Sequence, residues 1–180
     1  TRPSHLQHKN MNTFSTECRL CPRLASFLDV VRSEQPSYFA KPVPSFGEPG
    51  APLLIVGLAP GKHGANRTGR PFTGDYAGDL LYSTLHKFGL ATAAAPLGDN
   101  KQANPLLSLK GCRITNAVRC LPPQNKPEPA EIKLCNPFLA QELAALPQGA
   151  AILALGTIAH EAVLRASGVK VKDFKFGHNA

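Results

Sequence analysis

Hydrophobic positions along this chain fall into short blocks that alternate between two spacings. Leu24, Phe27, Leu28 and Val31 stand at i, i+3, i+4 and i+7, which predicts a helix over Arg23–Arg32. Leu53-Leu54-Ile55-Val56 is an unbroken apolar run stopped by Gly57, the pattern of a strand buried on both faces. Helical spacing returns in Ala77, Leu80, Leu81, Leu85 and Phe88, so Asp75–Phe88 reads as a second helix. A second strand is expected over Cys112–Val118 and a helix over about Ala130–Leu146, with Pro137 expected to kink or split it. A third strand, Ala151–Leu155, is closed by Gly156. Thr157 then reads as the N-cap of a helix running to Ser167, stopped by Gly168. Between these blocks, Pro36–Pro52 holds five prolines and two glycines and reads as an extended connector. Residues 1–12 are polar without apolar period and read as a disordered tail, and the stretch from Ala91 to Asn104 as an exposed loop. Three strand–helix repeats predict an α/β fold whose parallel sheet is covered by helices on both faces. In such a sheet ligands bind at the carboxyl ends of the strands, which gathers the loop after Gly57, the residues around Asn116 and the loop after Gly156 along one edge.

Composition narrows the class. The 180 residues are one domain's worth of chain, here 13–180, and 43% apolar with 18% charged residues is a globular balance. No apolar run approaches the roughly 18 residues of a membrane span, and the start lacks the build of a signal peptide, so no bilayer crossing is expected. A formal net charge of +8 favours a polyanionic partner, nucleic acid or an acidic membrane surface. Five cysteines without a secretory segment argue for a reducing, intracellular setting. Cys18 and Cys21 are spaced C-x2-C, and Cys120 and Cys135 follow about 100 residues later. Four thiolates suit a tetrahedral zinc or an iron–sulfur cluster, and spacing does not choose between them. Cys112 sits in a strand context and reads as a core thiol.

Two stretches on the expected ligand edge carry chemistry. The loop Gly57–Asp75 is rich in small residues that let a ligand reach backbone amides, yet it has neither the Walker nor the dinucleotide spacing. Its cations Lys62, Arg67 and Arg70, with His63, suit DNA phosphates, and Phe72 can lie against a planar base. Asn116, at the end of the second strand, can donate and accept at a base edge.

Gly57–Asp75, Thr115–Cys120 with Pro122-Pro123, and the four cysteines together resemble the iron–sulfur uracil-DNA glycosylases, most of all the type-5 branch. That branch's first motif, G-L-A-P-x-x-x-G-x-N-R-T-G-R-x-F-T-G-D, is matched at every fixed position. The resemblance covers about residues 16–180. It implies a three-layer α/β/α sandwich with a central parallel sheet, and a [4Fe–4S] cluster held by Cys18, Cys21, Cys120 and Cys135. It further implies a flipped base against Gly57, Leu58 and Ala59, stacked on Phe72 and read by Asn116. The implied activity is hydrolysis of the N-glycosidic bond of uracil, and of other deaminated bases, in single- or double-stranded DNA, by a cytoplasmic monomer. The type-4 branch instead resembles G-E-A-P-G with a carboxylate pair a few residues on. Here Leu58 replaces the glutamate and no acid falls among Lys62–Ala65; the nearest carboxylates are Asp75 and Asp79, and Asp75, which closes the motif just past Phe72, is the expected catalytic carboxylate, with helix capping as its competing role.

His160 is expected to pack or cap, and His178 matches a family position near the site. The family pattern continues into a His-Pro-Ser-type segment and a fourth strand that do not occur before Ala180. A chain truncated there is expected to be weak or inactive, an intact one active. The rival expectations are a catalytically silent DNA-binding module and a zinc-stapled nucleotide-binding protein.

Overall fold

The computed structural model describes residues 13–179; the polar tail expected over 1–12 lies outside the described residues. Element order is α1 (Pro22–Glu34), β1 (Phe46–Gly47), β2 (Leu53–Gly57), α2 (Ala65–Thr68), α3 (Tyr76–Lys87), β3 (Cys112–Asn116), α4 (Pro129–Ala144), β4 (Ala151–Ala154) and α5 (Thr157–Ala166). Short 3₁₀ turns lie at Pro123–Asn125 and Val171–Asp173. The strands form one sheet in the order β1-β3-β2-β4. β2 pairs in parallel with both β3 and β4, with Gly57 opposite Asn116 at the carboxyl end.

The two faces of β2 explain the layers. Side chains alternate along a strand, so Leu54 and Val56 point one way and Ile55 the other. Leu54 and Val56 pack with Leu24 of α1, Ile132 and Leu139 of α4, and Ala159, Ala162 and Val163 of α5. Ile55 packs instead with Cys112 and Ile114 of β3, with Tyr82 and Leu85 of α3, and with Leu107 and Leu109 from the loop that precedes β3. Helices therefore cover both faces, giving the expected α/β sandwich. Cys112 is fully buried in the second of these layers, as a core thiol should be.

Three expectations need correction. The sheet is mixed, not wholly parallel: Phe46–Gly47, from the proline-rich connector, adds an antiparallel edge strand to β3. Pro137 does not split α4, which is continuous over Pro129–Ala144. The carbonyl that Pro137 leaves without a helical donor belongs to Lys133, on the exposed side, while Ile132, Cys135, Phe138 and Leu139 hold the inner side in the core. Finally, Gly156, not Thr157, is the N-cap of α5. The chain turns there at φ 109°, a conformation that glycine reaches and threonine does not.

An ion-pair system fastens the layer that carries the cysteines. Arg23 of α1 donates from both Nε and Nη2 to Glu131 of α4, each at 2.8 Å. Glu131 also accepts the Glu128 N–H at 2.7 Å, which closes a capping box at the start of α4. The same carboxylate thus caps one helix and ties it to another.

Candidate base pocket and cysteine centre

The Gly57–Asp75 loop is held closed by its own hydroxyls and by α3. Thr73 is 1% exposed, and its Oγ1 donates to the Arg70 carbonyl at 3.0 Å and lies 2.6 Å from Thr68 Oγ1. Tyr82, fully buried in α3, donates to the Pro71 carbonyl at 2.7 Å. Between those anchors Phe72 adopts φ 55°, a left-handed conformation that costs a non-glycine residue about 1–3 kcal/mol and persists only where neighbours impose it. The resulting ring lies hard against the end of β2. A Cβ on Gly57 would stand 2.4 Å from Phe72 Cζ and 2.6 Å from Asn116 Oδ1, so only glycine lets ring and amide meet there.

Ala59, Gly61, Ala65, Phe72, Thr73, Asp75 and Asn116 line one pocket at this edge. Sequence reasoning named Ala59, Phe72, Asp75 and Asn116 as site residues and Gly61 among the small residues that admit a ligand, and it missed Ala65 and Thr73; the first of these carries no chemistry to search for. Gly57 lies beneath the pocket. Leu58 does not line it and instead gives its carbonyl to the Val118 N–H at 2.9 Å. Asn116 is 4% exposed, yet its side-chain amide makes no hydrogen bond within the described residues. A buried amide is costly unless something satisfies it. This one is free to pair with whatever enters the pocket.

Asp75 lines the same pocket and is also the N-cap of α3, its Oδ1 accepting the Gly78 N–H at 2.8 Å. Both roles weighed for it therefore have a geometric basis. Its second oxygen makes no hydrogen bond within the described residues.

The four expected DNA-backbone residues lie outside the pocket wall, and each already has a protein partner. Lys62 pairs with Glu34 at 3.3 Å, and His63 Nδ1 is 2.7 Å from the Tyr38 hydroxyl. Arg67 stands 5.6 Å over the Tyr38 ring. Arg70 is the most enclosed: it stacks on Phe46 at 4.2 Å and donates to the Asn104 carbonyl at 2.7 Å. Burial holds its guanidinium below the ordinary arginine range. His160 packs as expected, with Nε2 2.9 Å from the Phe174 carbonyl. His178 lies against Phe176 with ring centroids 5.1 Å apart.

On the other side of the sheet, Cys18, Cys21, Cys120 and Cys135 line one apolar pocket with Phe14, Leu24, Arg119 and Phe138. All four are free thiols. Burial pushes the Cys21 thiol up to about 11 and raises Cys120 and Cys135 as well, with the neighbouring cysteines adding to the rise for all three. Cysteines gathered in one pocket form a natural ligand set, because a metal centre takes them as thiolates and relieves the penalty on Cys21, Cys120 and Cys135. Among the described residues, no group of three or more His, Cys, Asp or Glu is placed to hold a metal ion. Four cysteine thiolates are, by their chemistry, the donor set of a four-iron cluster as well as of a tetrahedral zinc.

The family model of the uracil DNA glycosylase superfamily matches residues 44–178. The type-5 uracil-DNA glycosylase of Thermus thermophilus is 46% identical over 171 residues, covering 92% of this chain and 75% of that protein. The chain belongs to the uracil DNA glycosylase superfamily. A type-5 enzyme from Mycobacterium bovis is 42% identical over 179 residues, covering 93% of this chain and 64% of its own length, so the chain spans somewhat under two thirds of that relative. A type-4 uracil-DNA glycosylase from Pyrobaculum aerophilum is 35% identical over 132 residues, 73% of this chain and 57% of that protein. The superfamily match takes in the base-side loop, Asn116, Cys120 and Cys135, while Cys18 and Cys21 precede it.

Proposed function

We propose that this protein is a DNA-repair glycosylase that hydrolyses the N-glycosidic bond of uracil, and of other deaminated bases, flipped out of DNA, leaving an abasic site. The observation that carries the reading is Asn116: a residue 4% exposed, at the end of β3, whose side-chain amide has no hydrogen-bond partner among the described residues and lines a pocket walled by Phe72. An amide reads the Watson–Crick edge of a base while an aromatic face stacks on its ring.

Cleavage leaves positive charge on the deoxyribose and negative charge on the departing base. Hydrogen bonds from Asn116 stabilise the base anion as it forms. Asp75 supplies the carboxylate, through the oxygen not used in capping, to orient the attacking water or support the sugar cation. Asp75 is the one carboxylate among the described residues that line the pocket, in keeping with a substrate range beyond uracil. The surplus of positive charge draws the protein to DNA through phosphates, with Lys62, His63, Arg67 and Arg70 around the loop as the expected contacts. Arg70 must then act from its seat on Phe46 or release the Asn104 carbonyl.

Cys18, Cys21, Cys120 and Cys135 hold a [4Fe–4S] cluster in this reading. Its contribution is structural: it ties the segment before α1 to the loop that follows β3. The protein acts as a monomer in the cytoplasm, where thiols stay reduced.

Incubating purified protein with duplexes holding one uracil, hypoxanthine or xanthine, then scoring abasic sites, tests the function. Abasic sites are expected, and Asn116→Ala is expected to remove nearly all of the activity. DNA binding without abasic sites from any of the three duplexes would overturn the reading and leave a silent DNA-binding module.

A further inference from the structure

Arg119 is the one buried charge whose compensation is incomplete among the described residues. It is 3% exposed, with its guanidinium stacked on Phe14 at 4.6 Å. Among the described residues its one carboxylate partner is Glu142, reached from Nη2 at 3.3 Å. That carboxylate is already taken: Arg113 donates to it from Nε at 2.6 Å and Nη2 at 3.0 Å, and Ser45 at 2.6 Å. Two guanidinium groups therefore share one carboxylate, and the short bonds go to Arg113. Arg119 Nε is buried with no hydrogen-bond partner among the described residues. An uncompensated buried cation is costly, so a fold that keeps one has an anion in view. Arg119 lines the same pocket as the four cysteines, and its own backbone N–H faces the Cys135 sulfur.

We propose that Arg119 is the counter-charge of the thiolate-ligated group held by Cys18, Cys21, Cys120 and Cys135, favouring that group's retention and its more negative, reduced state. This rests on the cluster reading given above. The guanidinium does not ligate the group; it acts through its charge, which favours electron-rich states.

Arg119→Met keeps an apolar stem against Phe14 and removes the charge; Arg119→Gln is a second neutral variant, and Arg119→Lys keeps the charge. Each is compared with wild type for iron content, visible absorbance, circular dichroism, midpoint potential at an electrode and rate of iron release to a ferrous chelator. The neutral variants are expected to show a more negative potential and several-fold faster iron release, with Arg119→Lys close to wild type in both. Wild-type potential and release rate in the neutral variants would overturn the proposal while leaving the cluster reading intact. So would equal losses in the Lys and neutral variants, because charge would then not be the cause. Should neither neutral variant fold, the Lys variant decides: a potential well below wild type overturns the proposal, and one close to it supports the proposal. Purified wild type without iron or visible absorbance would overturn the cluster reading and this proposal together.

Discussion

At Asp75, one carboxylate oxygen accepts the Gly78 N–H and the side chain also lines the base pocket, so alanine would remove a helix cap and a carboxylate together. Asparagine separates them, because Asn caps a helix as well as Asp does. Asp75→Asn is expected to keep wild-type thermal stability while glycosylase activity falls by about 10²–10⁴-fold, the usual worth of a positioned acid or base. Asp75→Ala should add a stability loss of about 1 kcal/mol. Wild-type rates in the Asn variant would leave Asp75 as a cap alone. Gly57→Ala probes the contact that shapes the pocket: its Cβ must displace Phe72 or Asn116, each within 2.6 Å of it. The overpacking is expected to cost about 1–3 kcal/mol in urea denaturation and to abolish base excision. At this scale the sequence spoke for Asp75, Phe72 and Asn116 through residue type and position. It was silent on Phe72's left-handed backbone, which neighbours such as Tyr82 impose and no local pattern encodes.

The elements were legible wherever hydrophobic spacing was regular. β2 and α3 fall within a residue or so of their expected limits, because each has a face that must be buried and a sharp stop beside it. β1 escaped notice because two residues in a proline-rich run show no period; only pairing with β3 makes them a strand. In α4, Pro137 argues locally for a break, but tertiary burial of Ile132, Cys135, Phe138 and Leu139 overrides it. Arg23 joins α1 to α4 through Glu131, and Cys21 and Cys135 ride on those same two helices. Glu131→Gln removes the charge from both the ion pair and the capping box. It is expected to lower stability by about 1–2 kcal/mol and to weaken retention of the proposed cluster, read as faster loss of visible absorbance under a chelator.

Across the whole molecule, the charge network Arg113–Glu142–Arg119 joins β3, α4 and the cysteine pocket. Burial works to raise the Glu142 carboxyl, but bonds from Arg113 and Ser45 and the charges of Arg113 and Arg119 hold it below the ordinary glutamate value. A carboxylate whose folded pKa is depressed contributes stability that is fully present above its unfolded pKa, about 4.3, and is lost as pH falls through its folded value. Wild type is therefore expected to lose stability on acidification below about pH 4.3. Glu142→Gln should show a smaller acid-dependent loss and a lower stability at pH 7, by roughly 3–5 kcal/mol, since the buried Arg119 and the half-buried Arg113 lose their carboxylate. Urea titrations at several pH values measure both effects. With a net charge of +8, affinity for DNA should also fall linearly in log–log form as salt rises, measurable by fluorescence anisotropy. Hydrophobic periodicity alone determined that strands alternate with helices and that Gly57 closes a buried strand, because burial of one face is a local demand written into every few residues. Residue types and motif matches further named the base-side and cysteine residues. Only the tertiary structure decided that β2 and β3 are neighbours with Gly57 opposite Asn116, that the Asn116 amide has no partner among the described residues, that Phe72 is strained against Gly57, that Arg70 is turned inward onto Phe46, and that Arg119 shares its carboxylate beside the cysteines. Those are properties of residues brought together from far apart in the chain, where what satisfies a polar group, or fails to, depends on neighbours that no local window contains.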